Sequence, residues 1–150
     1  MNAPTDPKQT ARQGWMAILA KADPARLASL MQDLPPLDHL RPPEVGAAMV
    51  RGRIGATGAP FNLGEMTITR CSVRLADGTV GHGYVQGRDK THALRAAAID
   101  ALMQTDRAAH LRTTVLDILS SEASAAKVLR ASKAAATKVD FFTLVRGEDA

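Results

Sequence analysis

The sequence contains little cysteine, few aromatic residues and no long apolar run, and each shortage excludes a class of protein. Cys71 is the only cysteine among 150 residues, so no internal disulfide and no cysteine-based zinc or iron–sulfur site can form within one chain. No segment approaches the roughly 18 apolar residues of a membrane span. The opening MNAPTDPKQT also lacks the apolar core of a signal peptide. We therefore expect a cytoplasmic protein that does not associate with membranes.

The shortage of aromatic residues constrains the core. Aromatic residues make up 3% of the chain and hydrophobic residues 45%, so the core must consist of aliphatic and small side chains that pack closely. A chain of this length buries roughly 70% of its unfolded surface, enough to fold without disulfides. These totals predict a single domain over residues 1–150. Within it we expect residues 1–9 to be disordered. Residues 139–150 contain the apolar VDFFTLVRG, which breaks the helical period, and are expected to form an extended docking tail.

Positive charge is concentrated in the middle of the chain. The formal net charge is +4. Between Arg51 and Arg95, seven Lys and Arg residues stand against three Asp and Glu residues, while the rest of the chain has twelve of each. This distribution predicts an anionic partner for the middle segment. A solvated sheet face explains the same charges without a partner, and the sequence leaves both interpretations open.

The hydrophobic pattern predicts an α+β fold with helices at both ends and a sheet between them. Thr10 is predicted to cap a first helix that buries Trp15, and Asp23 followed by proline begins a second helix. Residues 35–43 contain four prolines and predict a stiff extended connector. After the sheet we expect helices over 89–103, 106–119 and 121–138 and then the extended tail. The predicted core order is α-β-β-β-α.

Three strands fill the middle of the chain: EVGAAMVRGRI, MTITRCSVRL and TVGHGYV. The last two are joined by Asp77-Gly78, a strong signal for a two-residue hairpin loop. On the core side, this loop pairs Leu75 with Val80, Val73 with His82, and Cys71 with Tyr84. Arg70 and Arg74 then lie on the opposite side, above a surface kept low by glycines. A β-bulge near Thr69-Arg70 would bring the first half of the second strand into phase.

The segment GRDKTHALRAAA, residues 87–98, predicts a helix with a charged first turn. Asp89 is its expected N-cap, and the free N–H groups of the first turn attract anions together with the helix dipole. Arg88 offers a bidentate fork to a phosphate, Lys90 a point charge and His92 a proton donor or acceptor. A plain N-cap with solvated charges explains the same residues. The candidates for anion binding are Arg53, Arg70, Arg88, Lys90 and His92.

No set of residues has the spacing of a catalytic or metal-binding site. The four histidines lack ligand spacing such as i and i+4 on one helix. Cys71 is predicted to point into the core, where a cysteine behaves as a small apolar residue, and His82 is predicted to point there as well. GATG, residues 55–58, lacks the lysine of a phosphate-binding loop and predicts a hairpin turn. The chain alone therefore indicates no catalytic residue, metal or bound cofactor.

The order of helix, three strands and alanine-rich helix resembles a double-stranded-RNA-binding domain. The helix pattern of that family is matched by Ala93, Ala97, Ala98, Ala101 and Leu102. Thr91 and Leu94 stand where the family has further lysines, and binding of duplex RNA depends on such contacts to the backbone. An RNA-binding module that uses the basic sheet and helix start is the alternative function.

Four blocks together resemble the PhnG family, the G subunit of the carbon–phosphorus lyase system of bacterial phosphonate use. The blocks are RQGWMAILA, GATGAPFNLGEMTITRC, VRLADGTVGHGYVQGRDKTHALRAAAIDALMQ and KVDFFTLVRG. They span Arg12 to Gly147, with looser matches over 22–45 and 106–137. The length of the third block makes this resemblance far more specific than any of the short motifs.

The resemblance implies a subunit of an enzyme rather than an enzyme complete in itself. PhnG-like proteins act with PhnI, PhnH and PhnL in making α-D-ribose 1-methylphosphonate 5-triphosphate, as methylphosphonate displaces adenine from ATP. They also belong to a core with PhnH, PhnI and the radical-SAM subunit PhnJ, with two copies of each. No catalytic residue is implied for PhnG. The resemblance implies no cofactor for this chain alone, with ATP and methylphosphonate as substrates of the complex.

Two surfaces are candidates for this role. The apolar tail is expected to dock on another subunit through Phe141, Phe142 and Leu144. Substrate and product both carry a triphosphate, which an arginine-rich surface can bind. The same arginines can instead pair with acidic groups on PhnI, so the choice between substrate binding and scaffolding stays open. Nucleic acid is not expected among the partners.

Overall fold

Two helices at the N-terminal end each begin at a proline that follows an aspartate. The computed structural model describes residues 6–139, in which α1 spans Pro7–Lys21 and α2 spans Pro24–Leu30. Asp23 caps α2 by accepting the Arg26 N–H at 2.8 Å, as predicted. Asp6 caps α1 by accepting the Lys8 N–H at 3.0 Å. The predicted Thr10 cap is wrong, because the aspartate with proline at the first helical position starts the helix earlier, and residues 7–9 form its first turn.

The sheet has three antiparallel strands in the order β1-β2-β3, with β1 at Leu37–Arg53, β2 at Pro60–Leu75 and β3 at Val80–Gln86. The predicted connector is wrong from Leu37 onward, because β1 already begins there. An edge strand tolerates its two prolines, and the β1–β2 register shifts between Arg41 and Glu44, around them. The bulge predicted at Thr69-Arg70 is absent, since β2 pairs with β3 without a shift from Ile68 to Arg74.

The β2–β3 hairpin differs from the prediction by one residue. The Leu75 N–H donates to the Thr79 carbonyl at 2.9 Å, so the loop has three residues and ends at Gly78, whose φ is 89°. Thr79 also donates its N–H to the Asp77 carboxylate at 2.8 Å, which lowers the pKa of Asp77 below its usual value. A shift of one residue exchanges the two faces of a strand, and β3 is therefore turned over relative to the prediction.

This exchange changes which residues enter the core. Gly81, Gly83 and Val85 are buried, while His82 and Tyr84 are exposed. The predicted core position of His82 is therefore wrong, and its Nδ1 lies 2.9 Å from the Ser72 hydroxyl on the outer face. The glycines were predicted to lie on the same side of the sheet as the arginines. This prediction is wrong, because they lie on the opposite side, which faces the core.

The buried glycines allow α3, which spans Lys90–Leu102, to lie directly against the sheet. A Cβ atom on Gly81 would stand 2.1 Å from the Ala97 carbonyl oxygen, and one on Gly83 would stand 2.1 Å from the Ala93 carbonyl oxygen. On the helix side, the small partners of the glycines are alanines. This contact confirms the expected core of small and aliphatic side chains, to which Leu19 of α1 and Leu27 of α2 also belong.

Beyond α3 the chain forms one continuous helical path. Helix α4 spans Ala108–Leu111, a π-helical segment follows at Arg112–Leu116, and α5 spans Asp117–Ala136. The predicted break near Ser120 is wrong, because no proline or glycine occurs there to end the helix. The sheet and the helices that pack on it form what we call the body, and Leu119 is the last residue of α5 in its core. Every residue from Ser120 to Val139 is exposed.

These elements confirm the predicted α+β class, with helices, a three-stranded antiparallel sheet and further helices. Phe141, Phe142 and Leu144 of the predicted docking tail lie outside the described residues. Within residues 6–139, no helix combines the length and apolarity that crossing a bilayer requires.

Candidate functional site

The start of α3 is held firmly against β2. Gly87 has a φ of 93°, which allows the chain to turn from β3 into the helix. Its N–H donates to the Thr67 carbonyl at 2.9 Å, and its carbonyl accepts the Thr69 hydroxyl at 2.7 Å. Asp89 caps the helix by accepting the His92 N–H at 2.8 Å. The predicted N-cap is confirmed, and the helix start has a defined position on the sheet.

The exposed side chains at this helix start carry positive charge. Arg88 and Lys90 are exposed, and neither side chain forms a hydrogen bond or ion pair with any residue of the described part of the chain. Because Asp89 takes only the His92 N–H, the N–H groups of Lys90 and Thr91 are also left without a protein acceptor within residues 6–139. The arrangement can attract an anion, although the Asp89 carboxylate partly offsets the field.

His92 does not join the exposed charges. Its side chain is buried, with 5% exposure, and Nε2 lies 2.7 Å from the Leu19 carbonyl oxygen. A carbonyl only accepts, so Nε2 carries the hydrogen and donates it to the last turns of α1, where helix carbonyls lack intrahelical partners. The structure therefore uses His92 to connect α3 with α1.

The arginines of the outer sheet face have acidic partners on β1. The Arg70 Nε lies 2.7 Å from the Glu44 Oε1, and the Arg74 Nη2 lies 3.3 Å from the Asp38 Oδ2. These acids fall outside the segment whose sequence shows a positive excess, but strand pairing brings them opposite the arginines. The basic face is thus partly neutralised within the protein.

Arg53 is remote from the other candidates. Its guanidinium donates to the Gly58 carbonyl at 3.1 Å, across the turn between β1 and β2. On β2, Arg53 lies opposite Pro60, and the end of β3 that leads into α3 lies opposite Ile68. The distance from Pro60 to Ile68 along β2 is roughly 26 Å at the usual rise of a strand. The five predicted anion-binding residues do not form one site.

A buried carboxylate lies at the centre of a polar cluster that no sequence motif predicted. Asp100 on α3 is fully buried and accepts four hydrogen bonds. Arg12 donates through Nη2 at 2.7 Å and Nε at 3.1 Å, Trp15 donates through Nε1 at 2.8 Å, and the His82 N–H donates at 2.9 Å. A lone carboxylate in an otherwise apolar helix, AAAIDALM, was the available signal, because a buried charge requires a partner.

This cluster also protects the outer edge of β3. The Val80 carbonyl accepts from the Arg12 guanidinium at 3.3 Å and from the Gln104 amide at 2.9 Å, while the His82 N–H is taken by Asp100. Edge strands with free backbone groups pair with other chains, and natural proteins cover or block them. The cluster is therefore structural: it joins α1, α3 and β3 and closes part of an edge.

Two further sequence predictions concern reactivity. Cys71 is buried, as predicted, and burial raises the pKa of its thiol, which keeps the thiol neutral and a weak nucleophile. Within residues 6–139, no group of three or more His, Cys, Asp or Glu side chains is arranged to hold a metal ion.

The β1–β2 hairpin extends beyond the body as a two-stranded arm over residues 44–67, which we call the hairpin arm. None of its residues is buried, because β3 pairs only with the part of β2 from Ile68 onward. Its exposed large apolar side chains are Val45, Met49, Ile54, Phe61 and Leu63. A two-stranded ribbon is marginally stable alone, and clustered exposed apolar side chains mark association surfaces.

The fold and its surfaces define the class of protein: an α+β chain with internally satisfied polar clusters and two exposed extensions, the hairpin arm and the part of α5 after Leu119. Such extensions are typical of a subunit of a larger assembly. The chain belongs to the PhnG family, because the family described as "Phosphonate metabolism protein PhnG" matches residues 10–147. It is 44% identical over 143 residues to the "Alpha-D-ribose 1-methylphosphonate 5-triphosphate synthase subunit PhnG" of Rhizobium meliloti (strain 1021), covering 92% of this chain and 90% of that protein. These matches confirm the resemblance found in the sequence.

Proposed function

We propose that this chain is a subunit of an α-D-ribose 1-methylphosphonate 5-triphosphate synthase in the cytoplasm. In this role it supports the displacement of adenine from ATP by methylphosphonate, as part of phosphonate catabolism. The observation that carries the proposal is the 44% identity to the Rhizobium meliloti subunit over nine-tenths of both chains. The partners proposed on the basis of the family are PhnI, PhnH, PhnJ and PhnL-like subunits, with two copies of each core subunit.

The exposed extensions support a role in an assembly. The apolar side chains of the hairpin arm would be shielded from water by a partner, and burial of each contributes about 1.5–3 kcal/mol. The Ser72 hydroxyl and the His82 Nδ1 lie 2.9 Å apart, but on the exposed sheet face and with no hydrogen bond to the other ring nitrogen of His82 within residues 6–139. An activated nucleophile has a base that a third group orients. The most buried acid, Asp100, is already occupied by Arg12 and Trp15. We therefore propose that the chemistry takes place on another subunit, with this chain as a supporting part.

The test of this proposal is reconstitution with and without the chain. The other synthase subunits, co-expressed with this chain, should release adenine from ATP when methylphosphonate is added, as measured by chromatography. Omission of this chain should abolish the release, and adding the purified chain back should restore it. Equal adenine release in its absence would contradict the proposed function.

We further propose that the start of α3 assists in binding the triphosphate of the substrate. Arg88 and Lys90 are exposed beside the N–H groups of Lys90 and Thr91, and such groups bind phosphate oxygens. The alternative is that this chain only positions its partners. Duplex RNA binding is not favoured, because the family match concerns phosphonate metabolism.

Removal of both charges separates substrate binding from scaffolding. In the reconstituted enzyme, the double variant Arg88→Ala/Lys90→Ala should lower kcat/KM for ATP about tenfold, the effect of losing roughly 1.4 kcal/mol of charge-assisted contact. The subunits should still co-purify. The matched control is Arg107→Ala/Arg112→Ala, two exposed basic residues of the C-terminal helical segment, which should leave kcat/KM unchanged. Unchanged ATP kinetics in the first variant would assign this chain a scaffolding role.

A further inference from the structure

The second extension is the part of α5 over residues 120–136, which we call the helical arm. All of its residues are exposed, and at the usual helical rise it extends roughly 25 Å past the last buried residue, Leu119. Val128 and Leu129 are 69% and 55% exposed. The arm thus presents two large apolar side chains to solvent at a distance from the core.

A helix in this position has little to stabilise it. Helices in proteins owe most of their stability to packing of an amphipathic face, and isolated helices of this length are marginal in water. The arm also lacks internal ion pairs, because its only acidic residue, Glu122, binds Arg26 of α2 at 2.7 Å. Its alanines favour the helical state but leave its surface uncovered. Contact with another molecule would supply the missing packing.

The charges of the arm indicate the kind of partner. Lys127, Arg130 and Lys133 follow one another at intervals of three, which places them on one side of the helix. None of them forms an ion pair within residues 6–139. The opposite side carries small and apolar residues: Ser121, Ala125, Val128, Leu129, Ser132 and Ala136. The arm therefore has an apolar face and a basic face along its length.

We infer that the helical arm docks lengthwise into a groove of another protein subunit, one with an apolar floor and acidic residues along one wall. This inference rests on the proposed function for the identity of that subunit. The apolar face is buried on the floor, and the three basic side chains pair with the acidic wall. A second copy of this chain is disfavoured as the occupant, since the chain has a net charge of +4 and two basic arms repel. Nucleic acid would satisfy only the charges, since it leaves Val128 and Leu129 uncovered and the arm has no aromatic residue for stacking.

The experiment measures assembly of the full chain with the co-expressed synthase subunits. Two variants address the two faces: Val128→Ser/Leu129→Ser, and Lys127→Glu/Arg130→Glu/Lys133→Glu. Each should weaken the affinity for the partner at least about 100-fold, as expected for several central interface residues. The control, Arg107→Glu/Arg112→Glu, changes exposed basic residues before the arm and should bind like the wild type. The arm's one ion pair with the body within residues 6–139 joins Glu122 to Arg26, and both variants keep it. The unfolding midpoint of each arm variant should therefore be close to that of the wild type.

Hydrogen exchange gives a second readout on the wild-type protein. Amides of residues 124–136 should exchange rapidly in the free chain and become protected in the complex. Failure of the wild type to assemble at all would contradict the proposed function itself. Assembly of the wild type and of both arm variants with equal affinity would overturn the inference alone. Two other results would also overturn the inference. One is that the wild-type chain forms a dimer and the serine variant does not. The other is that the wild-type chain binds duplex RNA and the glutamate variant does not, although that variant still assembles with the subunits.

Discussion

Replacing Asp100 with alanine is expected to lower the free energy of unfolding by about 3 kcal/mol. The change removes the acceptor of the Arg12 guanidinium, the Trp15 Nε1–H and the His82 N–H. These donors are then shielded from water without a partner. Breaking a buried ion pair by removing one partner costs about 3–5 kcal/mol. The lower end applies here because the Arg12 side chain is 31% exposed and water can partly solvate it. Equilibrium unfolding in urea, followed by circular dichroism, measures the loss.

Two further variants test the cause of this loss. Asp100→Asn keeps the size of the side chain and one acceptor oxygen, but its amide NH2 faces two N–H donors. It should therefore cost about as much as Asp100→Ala, which would show that the lost acceptor and not the lost volume is the cause. Asp106→Ala removes an exposed aspartate just after α3 and should change stability by less than about 0.5 kcal/mol. If Asp100→Ala is as stable as Asp106→Ala, the cluster does not hold α1 to α3.

Alanine in place of Gly83 should be as damaging as the loss of Asp100. The new methyl group would stand 2.1 Å from the Ala93 carbonyl oxygen and 3.0 Å from the Ala97 nitrogen, and both are backbone atoms that move only with the whole helix. We expect a loss of about 3 kcal/mol or more in the free energy of unfolding, at or beyond the upper end for overpacking. Thermal and urea unfolding of the purified variant provide the measurement.

Gly46 on β1, the other edge strand of the sheet, provides the matched control. A Cβ atom there meets nothing within 4 Å, and alanine in place of an unstrained glycine restricts the unfolded chain. Gly46→Ala should therefore be neutral or more stable by a few tenths of a kcal/mol. If Gly83→Ala is equally harmless, α3 does not pack against β3 as closely as described.

Both predictions concern the body that carries the two extensions. The Asp100 cluster and the glycine–alanine contact fix α1, α3 and β3 to one another, whereas the hairpin arm and helical arm depend on neither. Variants of the body should therefore lose stability and assembly together. Variants of the helical arm should lose assembly alone. This difference separates a folding defect from a binding defect in the proposed synthase.

In the candidate site, contacts within one short segment could be predicted from the sequence, but contacts between different strands could not. Asp89 caps α3 through an N–H three residues away, and such a contact can be inferred from a short segment. The partners of Arg70 and Arg74 are Glu44 and Asp38, which are supplied by another strand. No short segment contains that information, and the positive excess counted along the chain overstated the charge of the sheet.

In the β2–β3 hairpin, an error of one residue in loop length exchanges the two faces of β3. Asp77-Gly78 marked the turn correctly, but a two-residue loop and a three-residue loop are both compatible with an Asp-Gly pair. The loop has three residues, and this one step moved His82 and Tyr84 to solvent and Gly81 and Gly83 to the core. Packing decides between the two, because only glycine fits beneath Ala93 and Ala97.

The α+β class, the starts of α2 and α3, the aliphatic core and the PhnG family could all be predicted from the amino-acid order, since each depends on local preference or on long matching blocks. The face of β3, the neutralisation of the sheet arginines, the Asp100 cluster and the two extensions became visible only when the elements were packed together. The physical reason is range: Arg12 and Asp100 are 88 residues apart, and whether a surface is covered depends on every element that packs near it.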